Sequence, residues 1–132
     1  MIFKLGDTFN KTFIITEATF QGFIHLFNDR HPLHTNEQFA IDKGFKGKIM
    51  HGCLLNGFLS YFIGECLPSK DIIIHSLEMH FKNAFYLNDE LKFEAVIKSS
   101  HETVNAVEFK YYFKNTEAKI VAKGKFQIGL LK

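Results

Sequence analysis

The sequence predicts an α+β domain in which an antiparallel sheet curls around one long apolar helix, and three observations carry that prediction. Before about residue 70 the apolar residues recur at helical spacing, and after it they alternate with period two. Residues 49–67, "IMHGCLLNGFLSYFIGECL", are apolar nearly all round, the mark of a buried helix. That helix is the one object in the chain able to cover the apolar face of the strands that follow it.

Each element has a local reason. An opening strand is expected over roughly 8–15. Thr16 is placed to N-cap a helix that has Glu17 in its first turn. Phe20, Phe23, Ile24 and Phe27 then take the i, i+3, i+4, i+7 positions of one buried face. Asn28 tolerates the left-handed conformation that ends a helix. Pro32 disfavours helical geometry at His31, so the chain should run extended there. Thr35 with Gln38 makes a capping box for a short second helix that stops near Gly44. Within the long helix the small or polar exceptions Gly52, Asn56, Ser60 and Gly64 recur every four residues and share one face. After Pro68, Ile73, Leu77, Met79 and Phe81 share a strand face. So do Leu91, Phe93, Ala95 and Ile97, then Val107, Phe109, Tyr111 and Phe113, then Ile120, Ala122, Phe126 and Ile128. Turn residues stand at Asn88-Asp89, Ser99-Ser100 and Asn115-Thr116. Four consecutive strands with short links make a meander that is apolar on one face.

With 132 residues, 46% hydrophobic and 23% charged, the chain reads as one domain over 1–132. A net charge of +2 is too small to argue for a nucleic-acid or membrane partner. No segment runs long enough without charge to cross a bilayer. The opening "MIFKLGDTFNKTF" carries charge and turn residues too early for a signal peptide. Cys53 and Cys66 form no CxxC pattern, which fits a reducing compartment better than a disulfide frame or zinc site. A cytoplasmic protein is the expectation. Sixteen Phe and no Trp supply a core, a greasy cavity or a subunit interface, and composition does not divide them.

The densest chemistry lies in "NDRHPLHTN", residues 28–36. Asp29 and His34 flank a Pro-stiffened turn, and a carboxylate beside an imidazole can orient a water and take its proton. Spacing alone leaves a second reading open, in which Asp29 caps a backbone group and His34 is solvated. Gly52, at the first turn of the long helix, offers a backbone N–H at the positive end of the dipole, suited to a carbonyl oxygen that gains charge. Tight helix–sheet packing explains the same glycine. A metal site built from His31 and His34 with His51 or His25 lacks a shared helical face, so no metal is expected. Cys53, in an apolar helix, reads as a packing residue. Lys43, Lys46 and Lys48 make a basic patch ahead of that helix: a solvated loop, or a contact for phosphates or an acidic carrier protein.

"NDRHPLHTNEQFA" followed by "GKIMHGCLLNGFLS" resembles the MaoC-like (R)-specific enoyl-CoA hydratases and dehydratases of the hot-dog superfamily. Their hallmark is similar to D-x-N-P-[IL]-H with a later HG-[ML]-L helix start and a serine further along. Asp29, Pro32, Leu33 and His34 fill the first motif; His51 and Gly52 fill the second, and Ser60 stands at the serine. "YLNDELKFEAVI" resembles the family's later strand after a Gly-Asp turn, and the likeness covers at least residues 20–66. It implies a hot-dog fold, a homodimer with an acyl tunnel lined by both subunits, and neither metal nor redox cofactor. It also implies hydration of a trans-2-enoyl thioester carried on CoA or acyl-carrier protein. Asp29 and His34 become the catalytic dyad, Gly52 the oxyanion donor, and Ser60 and His51 substrate-binding neighbours. A hot-dog thioesterase, a biosynthetic 3-hydroxyacyl-carrier dehydratase and an inactive acyl-binding partner are the alternatives. Two positions depart from the family pattern: His31 replaces an Asn, and Asn28 replaces a Gly.

Overall fold

The strict alternation of the last forty residues makes the centre of one antiparallel sheet. The structure, a computed structural model, describes residues 2–132, with the side chain of Glu102 outside the described set. Strands β3 (Glu90–His101), β4 (Ala106–Lys114) and β5 (Ile120–Leu130) form a meander. Their inward residues Leu91, Phe93, Ala95, Ile97, Val107, Phe109, Tyr111, Phe113, Phe126 and Ile128 are all buried, as the alternation requires. β1 (Thr8–Ile14) adds to β3 and β2 (Ile72–Phe81) adds to β5, giving the order β1-β3-β4-β5-β2.

That order corrects the expectation of four strands paired in sequence, because β2 stands at the far edge from β3. The link 82–89 is too long for a tight hairpin and instead crosses the end of the sheet. Lys82 and Asn83 donate to the Val121 carbonyl, Met50 donates to that of Phe85, and Asn88 donates to that of Ile15. Asn88 takes the expected left-handed turn, and Asn115 organises its own by accepting from Glu117 and Lys119. Ser99 and Ser100 remain in β3. The register shift between Ile97 and Ser99 absorbs a residue, and the turn falls later, at 102–105, with Asn105 left-handed. β2 is an edge strand lacking the inward face read for it: Ile73, Leu77 and Phe81 are 53%, 40% and 53% exposed, and only Met79 of that set is half-buried.

Helix α1 (Glu17–Phe27) begins and ends as its caps dictate. The Thr16 hydroxyl accepts from the Thr19 N–H at 3.1 Å, and Asn28 is left-handed at φ 58°. Phe20 and Ile24 are buried, but Phe27 is 67% exposed and leans on Phe23 at the edge of an open groove. Two short helices follow, α2 (Pro32–Thr35) and α3 (Glu37–Asp42). The N-cap of α3 is Asn36, whose Oδ1 accepts from Phe39 at 2.9 Å. Thr35 does not cap it: it is the last residue of α2, with its hydroxyl donating back to the Arg30 and His31 carbonyls, and Gln38 binds Asp42.

The long apolar stretch is only partly helical. Helix α4 runs Leu54–Tyr61 and continues as a π-helical turn over Phe62–Cys66, while 49–53 approach it as extended chain and turn. Leu54, Leu55, Leu59, Phe62 and Ile63 point into the sheet. Phe62 meets Phe93, Phe9 and Phe126 at 4.7, 5.9 and 6.5 Å, so three strands close on one ring. The sheet therefore wraps the helix as expected, yet Cys53, Gly57, Ser60, Tyr61 and Gly64 stay exposed along an uncovered face. Among the described residues no helix is long and apolar enough to cross a membrane.

Candidate active site

The segment after α1 owes its shape to three residue types. Left-handed Asn28 turns the chain, the Asp29 carboxylate accepts from the His31 N–H at 3.3 Å, and Pro32 opens α2. His31 is extended, with φ −52° and ψ 136°, and its Nδ1 accepts from the Leu33 N–H at 3.1 Å. That is the bond an asparagine would make from the same position, so the departure at 31 keeps the cap.

The segment is then stitched to the chain ahead of α4. Ile49 donates to the Leu33 carbonyl at 3.0 Å and accepts from His34 Nδ1 at 2.8 Å. A carbonyl only accepts, so His34 carries its proton on Nδ1 and leaves Nε2 as a free lone pair. Burial, chiefly, holds the His34 imidazole below its ordinary value, and His51 and His31 push the same way. The Ile49 carbonyl and Asp29 act against them without reversing the direction. His34 is thus a neutral base at pH 7.

His51 lies in the core at 2% exposure, and its Nε2–H donates to the main-chain oxygen of Asp29 at 2.9 Å. Its ring lies between Phe23 at 4.5 Å and His34 at 3.9 Å, with interplanar angles of 36° and 32°. Asp29, His34 and His51 each bring a donor atom within 4.8 Å of the others. Each of the two histidines already spends one ring nitrogen on a main-chain oxygen, His34 on Ile49 and His51 on Asp29, and their rings are tilted by 32° to each other.

Gly52 shares a cavity of about 440 Å³ with His34, Met50, Cys53, Phe81 and Phe85. A Cβ at position 52 would meet the Phe81 ring at 2.8 Å, so the glycine serves a close approach. It precedes α4 in a turn where Leu54 and Leu55 bond back to His51 and Gly52. A second, wholly different space of about 900 Å³ lies between α1 and α4, lined by Phe13, Phe23, Phe27, Phe58 and Tyr61, with Cys53 bordering both.

Asp29, His34, His51 and Gly52 therefore come together, and Ser60 does not. Ser60 is exposed on the open face of α4 and lines neither cavity. His51 reaches the Asp29 backbone rather than the cavity wall, which differs from a substrate-binding neighbour. Asp29 is exposed within the single chain. Lys43, Lys46 and Lys48 lie over the rings of Phe39, Tyr86 and Phe20, and Lys82 lines the His34 cavity. Sequence reasoning missed Phe81, which had been assigned to a buried strand face, and the Ile49 carbonyl, which no side-chain motif can reveal.

A family model described as "MaoC like domain" matches residues 6–119. The chain is 25% identical over 126 residues, 93% of its length, to the mitochondrial 3-hydroxyacyl-[acyl-carrier-protein] dehydratase of Arabidopsis thaliana, of which that stretch is 75%. It is 33% identical over 103 residues to an (R)-specific enoyl-CoA hydratase of Rhodospirillum rubrum, covering 78% of this chain and 62% of that one. The solved (R)-hydratase of A. caviae superposes with a TM-score of 0.88 at 24% identity, over 96% of each chain, which establishes the hot-dog fold.

Proposed function

Since the chain belongs to the MaoC-like domain family, we propose that it is a lyase that reversibly hydrates trans-2-enoyl thioesters to (R)-3-hydroxyacyl thioesters, with Asp29 and His34 as its catalytic dyad. One observation carries the reading. The His34 ring, whose Nδ1 is taken by the Ile49 carbonyl, brings a nitrogen within 4.8 Å of an Asp29 carboxylate oxygen and lines a cavity with Gly52.

The chemistry follows from those positions. Asp29 and His34 Nε2 hold a water between them, and the lone pair takes its proton as the oxygen bonds to C3. The C2–C3 π pair moves toward the thioester carbonyl, whose developing charge the Gly52 N–H receives. The proton returns from the dyad to C2, so the net change is addition of water. Dehydration is the same path reversed, and the (R) configuration follows the names of the bacterial relatives. The thioester is carried on CoA or an acyl-carrier protein, with Lys82 at the cavity and Lys46 nearby suited to its phosphates.

The working unit is a homodimer in this reading. β2 leaves an unpaired edge with Ile73, Ile74, Leu77 and Phe81 exposed, and the open face of α4 carries Ser60 toward whatever covers it. Both cysteines are unbridged, which suits the cytosol. The test is loss of enoyl absorbance with trans-2-enoyl-CoA substrates for wild type, Asp29→Asn and His34→Ala. Each variant is expected to lose about 10²–10⁴-fold in kcat. Unchanged rates in both would sink the dyad, and thioester cleavage without hydration would indicate a thioesterase.

A further inference from the structure

We infer that His51 is the positioning residue of this site, a ring that carries the Asp29 main chain on its edge and His34 on its face. The inference rests on the reading of Asp29 and His34 as the dyad and adds what holds the two in register. Among the described residues His51 is the only buried polar side chain in a core otherwise built of Phe, Leu, Ile, Val, Met, Ala and Tyr. Its Nδ1 is buried with no partner. A polar ring left half-satisfied between Phe20 and Phe23 is a poor packing choice, and leucine or methionine would fill the space without desolvating a nitrogen.

What His51 alone provides is a pair of contacts in perpendicular directions. In the ring plane, Nε2–H reaches the Asp29 carbonyl at 2.9 Å, across 22 residues of sequence. Normal to the ring, the imidazole lies on His34 at 3.9 Å. Phenylalanine would keep the second and lose the first; glutamine would keep the donor and lose the face. His34 is thereby fixed twice, by its Nδ1 bond to Ile49 and by the His51 face, which leaves its Nε2 one direction in which to point. His51 itself moves no proton, since one nitrogen is engaged with a backbone oxygen and the other is sealed among apolar groups. It is therefore a positioning residue rather than a catalytic one.

The two histidines must then hold opposite tautomers, Nδ1–H at His34 and Nε2–H at His51. Nitrogen-15 NMR of histidine-labelled wild-type protein at pH 8 reads this directly, without substrate. Finding Nδ1–H at His51, or the same tautomer at both, would overturn the inference whatever the activity. In kinetics with a trans-2-enoyl-CoA series, His51→Phe is expected to lose roughly 10–100-fold in kcat with KM held within about threefold, because misplacement costs rate more than binding. His51→Gln should recover part of that loss. The double variant Asp29→Asn/His51→Phe should fall little below Asp29→Asn alone, since His51 acts by holding the main chain that carries that carboxylate. A His51→Phe enzyme at wild-type kcat refutes the inference. If the wild type hydrates no enoyl thioester, the dyad reading fails instead, and the tautomer pair by itself decides whether His51 holds the segment as described.

Discussion

Gly52→Ala tests the cavity with a single methyl group. The added Cβ would stand 2.8 Å from one carbon of the Phe81 ring and 3.1 Å from two others, where ordinary contact begins at 3.4 Å. Something must therefore retreat by about 0.6 Å. Phe81 is on an edge strand and 53% exposed, so its ring gives way more readily than the turn that binds Leu54 and Leu55 to His51 and Gly52. Folding should suffer by less than about 1 kcal/mol, since the displaced group is half in solvent. Catalysis should suffer more, because both responses harm it: a moved turn shifts the Gly52 N–H, and a moved ring enters the cavity that Phe81 shares with His34. Loss of one oxyanion donor costs about 10²–10³ in kcat, or roughly 2.7–4 kcal/mol, so about 10²-fold is expected here with KM little changed. The assay is enoyl-CoA hydration beside a thermal melt. Gly52→Ala/Phe81→Leu should regain activity by freeing the space. Wild-type kcat in Gly52→Ala would refute the placement of the thioester oxygen at this N–H.

Four further outcomes follow from the same geometry. Because His34 is held below its ordinary value of 6.5, its base form persists to lower pH, and the acid limb of kcat/KM should fall below 6.5. The unfolded chain binds the His34 proton more tightly than the folded one, so stability is also lost as pH falls through that window; a melt at lower pH should show a lower midpoint. His31→Ala removes the α2 cap and should cost about 1 kcal/mol along with several-fold in rate, whereas His31→Asn restores the acceptor and should keep both. Phe62→Ala empties the ring site shared by β1, β3 and β5 and should cost about 3–5 kcal/mol, readable as a fall of at least about 10 °C in the melt.

Period-two alternation made β3, β4 and β5 legible because all three are covered on one face, and their inward residues fall where the pattern puts them. β2 has equally apolar residues, but alternation reports a preference for burial and not what covers the strand. Its pairing with β5 depends on the path of 82–89, which is fixed by distant backbone bonds to Val121, Met50 and Ile15. Capping errors had a nearer cause. Thr35 and Asn36 are both competent N-caps, but Thr35 closes α2 with its hydroxyl turned back to the Arg30 and His31 carbonyls, and Asn36 is the extended residue whose Oδ1 meets Phe39.

The site was legible through motif rather than periodicity, and the structure gives the reason. Asp29, His31 and His34 stand where no repeat operates, on a segment shaped by one left-handed residue and one proline, so spacing could not separate chemistry from a solvated loop. His51 was visible only as a polar residue entering an apolar run, and its motif position suggested contact with substrate. Its burial against Phe20, Phe23 and His34 instead ties the packed core to the candidate site. Core and site therefore cannot be separated in this fold: any change that lets Phe23 shift releases His51, and with it both the backbone of Asp29 and the face that steadies His34. Phe23→Ala should accordingly lower kcat by more than its loss of stability explains at a temperature where it remains folded, measured as rate against melt midpoint; a rate that tracks folded fraction alone would sever that link.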